Sequence, residues 1–189
     1  MNESRNRPIP GAGRLGMIVL LLALTMLFGA SVVGALVLRL RGGAWSPAAG
    51  VPGLPSGLWA STILILASSA TIEWAFRSAR GGRQQGIRRG LALSFLLGLA
   101  FLASQTANWL RWLGTAESRP QLLVFAFFLW TGLHAAHVLG GLIALGIVTR
   151  RALRGRYGSL AYDGVAFTRM YWHYLAAVWL VLFALLEVL

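Results

Sequence analysis

The chain has no cysteine and no lysine, and its 189 residues include only five acids and three histidines. Without cysteine, disulfides and thiolate metal sites are excluded. Against the five acids (Glu3, Glu73, Glu117, Asp163 and Glu187) stand 17 arginines, for a formal charge of +12. No arginine interrupts the middle of an apolar run, so the charge sits in connections and at helix ends. That distribution suits a protein whose ends meet lipid head groups and argues against a nucleic-acid partner. There is no P-loop, no serine-nucleophile elbow and no zinc-protease helix, so an autonomous ATPase or hydrolase has no support.

What is present is apolar length. Hydrophobic residues make up 57% of the chain. Runs with almost no charge occupy Met17 to Leu38, Leu58 to Phe76, Leu91 to Leu110, Leu122 to Thr149 and Met170 to Leu189. Each comes close to or exceeds the roughly 20 residues a helix needs to cross about 30 Å of hydrocarbon. The predicted fold is all-α: a five-helix bundle across a membrane, with residues 15–189 as one membrane domain and 1–14 as a polar arm. The first run is longer than a signal-peptide core and is read as a retained span. The segment from Arg41 to Gly57, with three prolines, is expected to be a loop bracketed by the interfacial Trp45 and Trp59. Glu117 and Asp163 are expected in loops.

With five crossings, Arg5, Arg7, Arg14, Arg77, Arg80, Arg83, Arg88, Arg89, Arg150, Arg151, Arg154, Arg156 and Arg169 fall on one side, which is 13 of the 17. Arg39, Arg41, Arg111 and Arg119 are the four on the other. Basic loops stay in the cytoplasm, so the split predicts N-terminus in and C-terminus out with five crossings.

Helices in lipid associate through close contact at small residues. The third span offers Gly90, Ser94 and Gly98 at four-residue spacing. In the fourth, Gly132, Ala136 and Gly140 form a stripe expected to pack, with Thr131, His134, His137 and Gly141 opposite as a polar face. His134, His137 and, on the fifth span, His173 are expected to hydrogen-bond across helices or to head groups. A metal held by these three histidines is the rival reading, and a two-haem site needs four axial ligands where three histidines exist. Glu73 precedes Arg77 by four residues, the favourable order for a helical ion pair, and is also a candidate proton-entry carboxylate. Tyr171, Trp172 and Tyr174, directly after Arg169, have the look of an interface anchor able to grip a head group. Arg77 and Arg169 are candidate phosphate contacts.

The TGLH..HV..G block from Thr131 to Gly141 and YWH....VW from Tyr171 to Trp179 resemble subunit III of the heme-copper oxidases, the cytochrome c and quinol oxidases, in its five-helix bacterial form. Similar wording continues in LGM (Leu15 to Met17), Met26, Phe28, Arg39, LPSG (Leu54 to Gly57), ASSAT (Ala67 to Thr71), Glu73, Trp74, Ala75, Gly98, Phe101 and Gln105. The resemblance implies an accessory subunit of a complex that reduces oxygen to water in aerobic electron transport. It binds no haem, copper or other cofactor itself; haem and copper belong to subunits I and II. Subunit III holds phospholipid, supports assembly and protects proton uptake into subunit I, its main contact, with subunit II and small subunits as further partners. At three positions where the family carries acids, this chain has Leu24, Asn108 and Ala176. Partnership with a nitric oxide reductase, or a small transporter with the polar face of the fourth span lining its path, are the alternatives. On the hydrogen-bonding reading, His134→Leu weakens the complex.

Overall fold

In a lipid interior the backbone can satisfy its own hydrogen bonds only as helices or a closed barrel, and the apolar runs choose helices. The computed structural model describes residues 12–41, 56–114, 117, 120–158 and 161–188. Five helices result: α1 Ala12–Leu40, α2 Gly57–Arg80, α3 Gln84–Leu113, α4 Gln121–Leu153 and α5 Asp163–Val188. All five are long and apolar enough to cross a membrane. Residues 1–11 of the expected arm and 42–55 of the expected loop, Trp45 included, lie outside the described residues.

The helices overrun the apolar stretches. α3 starts at Gln84 and α5 at Asp163, seven residues before the runs that announced them, so Arg88, Arg89 and Arg169 are helical. Ala12–Arg14, assigned to the arm by sequence, already belong to α1. Helical hydrogen bonding does not stop where the tails end, and long arginine stems carry their charge to the head groups. Asp163, expected in a loop, opens α5, where a carboxylate favours the positive helix end.

Tight turns make neighbours antiparallel. Between α2 and α3 only residues 81–83 intervene: Gly82 takes φ 66°, and Arg83 N–H donates to Ser78 O at 2.9 Å. Glycine suits that left-handed position because it lacks a Cβ. Gly155 (φ 72°) closes α4 in the same way, its N–H donating to Ala152 O at 2.9 Å. Thirteen-arginine geometry is thereby reproduced in part: Arg14, Arg77, Arg80, Arg83, Arg88, Arg89, Arg150, Arg151, Arg154, Arg156 and Arg169 share one end of the bundle, called here the arginine-rich end.

α2 packs between α3 and α5, and α4 closes against α3 and α5. α3 presents Gly90 to Ala75 of α2, and Gly98 to Trp172 of α5. Trp112, Trp130, Trp172 and Trp179 are fully buried in the core. α1 is peripheral, inserting Leu24 and Phe28 against α4 and α5 while most of its apolar surface faces outward. The α4 stripe points the other way from the sequence expectation: Ala136 and Gly140 are exposed, and nothing stands within 4 Å of a Cβ built at Gly132 or Gly140. The face that packs is the supposedly polar one, with Thr131, His134, Val138 and Gly141 buried. Both faces carry small residues, so spacing alone could not tell which met a neighbour.

Candidate functional site

Along α2, hydroxyls fall at positions facing α3 and α5, and the structure uses them to clasp helices together. Trp172 Nε1 donates to Ser68 Oγ at 2.9 Å, and Ser68 Oγ donates onward to Ser94 O of α3 at 2.8 Å. Trp179 Nε1 donates to Thr62 Oγ1 at 2.9 Å. Between α3 and α4, Trp109 Nε1 donates to Thr131 Oγ1 at 2.9 Å. Asn108 Nδ2 reaches Ser61 Oγ at 3.2 Å, and Ser61 Oγ lies 2.8 Å from Ser104 Oγ. A buried indole N–H needs an acceptor, and a hydroxyl can accept while passing its own proton to a backbone carbonyl. The amide tie of Asn108 was expected from sequence; the tryptophan clasps were missed, although Ser and Thr recurring inside apolar spans beside tryptophans on other spans were the available signal.

Trp172 therefore serves as an interhelix contact, buried rather than anchored at the interface. His134 departs from expectation differently. Its ring is fully buried among Phe28, Phe101 and Trp179, with centroids 6.4, 5.8 and 5.3 Å away, and neither ring nitrogen has a hydrogen-bond partner. It joins helices by aromatic packing, with no hydrogen bond. His137 Nδ1 lies 2.7 Å from Leu133 O of its own helix, and Tyr171 OH donates to His137 O at 3.2 Å. Among the described residues no three His, Asp or Glu side chains come together as a metal-binding group. An unpaired buried polar group costs about 1–3 kcal/mol, close to or above the roughly 0.5–1.5 kcal/mol an aromatic pair adds. His134→Phe should thus raise the unfolding midpoint in detergent and His134→Leu should leave it nearly unchanged, opposite to the sequence expectation. A clear fall in both variants would mean that the imidazole's packing among the three rings outweighs the cost of its unpaired nitrogens.

The charged cluster forms one to three turns inside the arginine-rich end, between α2 and α5. Glu73 is its centre. Arg77 Nε lies 3.0 Å from Glu73 Oε1, Arg169 Nε 3.2 Å from Oε2, and His173 Nε2 3.3 Å from Oε2. His173 Nδ1 is 2.5 Å from Ser69 Oγ, and the Arg169 guanidinium sits 4.0 Å above the Phe76 ring. Sequence spacing had joined Glu73 to Arg77; the fold adds Arg169, His173, Ser69 and Phe76. Half-exposed pairs of this kind contribute about 0.2–1 kcal/mol each. Glu73→Gln should lower chain stability by about 1 kcal/mol through loss of those pairs, read as a small downward shift in the unfolding midpoint. A loss several times larger would reveal a carboxylate with a further role.

Chemically, the arrangement holds helices together and presents cations at one end. The comparisons with known proteins bear directly on this architecture. A family model described as cytochrome c oxidase subunit III matches residues 8–188. The chain is 30% identical over 179 residues to cytochrome c oxidase subunit 3 of Thermostichus vulcanus, covering 93% of this chain and 86% of the relative. Against the Corynebacterium diphtheriae protein of the same name, identity is 29% over 178 residues (92% and 86% covered). For that of Synechocystis sp. it is 27% over 183 residues (95% and 77%). Five membrane-crossing helices and a family match over nearly the whole length lead to one assignment: the chain belongs to the cytochrome c oxidase subunit III family, the accessory subunits of heme-copper terminal oxidases.

Proposed function

We propose that this chain is the structural, non-redox subunit III of a bacterial cytochrome c oxidase, seated in the cytoplasmic membrane with its arginine-rich end inside. It docks chiefly on subunit I, with subunit II nearby, and those partners carry the haem and copper. Its task is to stabilise that assembly and to hold phospholipid, with Arg77, Arg169 and His173 as the head-group contacts. The observation that supports this reading best is how the buried polar groups are spent. Among the described residues no carboxylate is buried, and the Ser, Thr, Asn and Trp groups of the interior mostly bind one another across helices. Leu24, Asn108 and Ala176 are themselves buried, so the three positions where relatives of this type carry acids offer no proton-carrying group here. A proton relay needs titratable side chains in sequence, and this interior supplies packing instead.

Affinity purification of the tagged chain from its native membrane in mild detergent tests the reading. A reduced-minus-oxidised haem spectrum, together with mass-spectrometric identification of subunits I and II, is the expected result. A colourless chain with no partner would overturn it in favour of a stand-alone transporter, and co-purification of a nitric oxide reductase would reassign the partner.

A further inference from the structure

The arginine-rich end holds a second concave feature, separate from the Glu73 cluster. It is a cavity of about 470 Å³ on the outer side of α4. Arg150, Arg151, Arg154 and Arg156 line its head, and Ile143, Gly146 and Ile147 line its floor. Positions 143, 146, 147, 150, 151 and 154 follow helical spacing, so one face of α4 changes from apolar to cationic as it approaches the end. Ile143 and Ile147 are 61% and 51% exposed. Gly146 leaves a gap between them, backed by the Phe95 ring, whose edge would lie 3.3 Å from a Cβ there.

Charge makes this more than an uncovered apolar face. Among the described residues every carboxylate ion pair is made by Glu73, so none of the four arginines has a carboxylate partner. A fifth guanidinium, Arg88, approaches from α3, its Nε donating to Ala152 O at 3.3 Å and its Nη2 3.7 Å from where a Cβ of Gly155 would stand. Cations at a helix C-terminus offset the negative dipole end, but that effect belongs to the last turn, and Arg156 lies beyond it. The excess positive charge needs an external anion. A free phosphate would meet the guanidiniums and leave the isoleucine floor unused, while a zwitterionic lipid would bring its own cation against them. An anion joined to a hydrocarbon chain satisfies both halves.

We infer that this face of α4 binds an anionic phospholipid, its phosphate among Arg150, Arg151, Arg154 and Arg156 and one acyl chain along Ile143, Gly146 and Ile147. The inference depends on the chain spanning a membrane, and not on which oxidase subunits accompany it. The test is native mass spectrometry of the delipidated complex, reading lipid adducts on the ejected chain itself. Phosphatidylglycerol, phosphatidylcholine and inorganic phosphate are titrated separately. Wild type should retain phosphatidylglycerol in preference to phosphatidylcholine. R150Q/R154Q should weaken phosphatidylglycerol retention about thirtyfold, from two cations near a membrane surface. The R80Q/R83Q pair, at the same end but away from the cavity, should change it far less. Gly146→Leu, which fills the groove without touching the charge, should weaken the lipid alone. If R150Q/R154Q does not assemble, R156Q outside the helix carries the comparison, with about a fivefold loss expected. Equal retention of both lipids, equal loss in R80Q/R83Q, or displacement of the lipid by inorganic phosphate with no effect of Gly146→Leu would each overturn the proposal.

Discussion

Trp172→Ala is expected to destabilise the bundle by about 3–5 kcal/mol, the range for deleting a large buried aromatic. The indole is fully buried at the point where α2, α3, α4 and α5 converge. Its ring atoms lie 2.8 Å from the Cβ position of Gly98 and 3.1 Å from that of Gly141. Those two glycines therefore exist as the socket for this side chain. Removing it leaves a void that the helices can fill only by sliding toward one another, and leaves Ser68 Oγ without its indole donor. The hydroxyl keeps its link to Ser94 O of α3, and the clasp from α5 to α2 is lost. Trp172→Phe separates the two contributions: it keeps most of the packing and loses the hydrogen bond, for a cost of about 1–3 kcal/mol. Unfolding of the purified complex in a denaturing-detergent titration provides the measurement, with helical circular dichroism as readout. An Ala variant that unfolds with the wild-type midpoint would mean that the socket collapses without penalty.

Gly90→Val is the second large effect, and it acts on backbone rather than on a void. A Cβ at Gly90 would stand 2.8 Å from Ala75 Cβ and 3.0 Å from Ala75 Cα and N. Backbone atoms cannot rotate away, so α2 and α3 must separate along their contact. Overpacking typically costs about 1–3 kcal/mol, and a branched side chain against a facing backbone belongs at the top of that range. Gly90→Ala combined with Ala75→Gly should recover part of the loss, since the two positions compete for one space. Gly132→Val and Gly140→Val form the contrast. Each meets nothing within 4 Å, so their effect on the isolated bundle should stay within about 0.5 kcal/mol. Gly90→Val tolerated as well as Gly140→Val would refute the close approach of α2 and α3.

The small-residue stripes show how far pattern reading reaches. Gly90, Ser94 and Gly98 were chosen by four-residue spacing, and the structure puts Gly90 on α2, Gly98 on α5, and Ser94 between them with its hydroxyl 2.8 Å from Thr71 Oγ1. Gly132, Ala136 and Gly140 obey the same spacing and face outward. Spacing identifies a face of a helix and carries no information about what lies opposite. In water the apolar face would reveal itself by contrast with a polar one, but lipid removes that contrast. Trp172 illustrates a related failure. Its neighbours Arg169, Tyr171 and Tyr174 resemble an interfacial belt, yet α5 begins nine residues earlier, which places the indole about 13 Å along the helix from its start.

By itself the sequence determined the number of crossings, their antiparallel order, the gathering of arginine at one end and the absence of thiolate chemistry, because these depend on run length, connection length and composition. Only the tertiary structure decided which face of α4 is buried, that Arg169 and His173 join Arg77 around Glu73, that tryptophans of α5 clasp hydroxyls of α2, and that His134 is caged among aromatic rings without a hydrogen bond. Those outcomes depend on the rotation of each helix about its axis relative to its neighbours. Rotation is set by side-chain fit between segments far apart in the chain, such as the 117 residues that separate Trp179 from Thr62, and no local pattern encodes it.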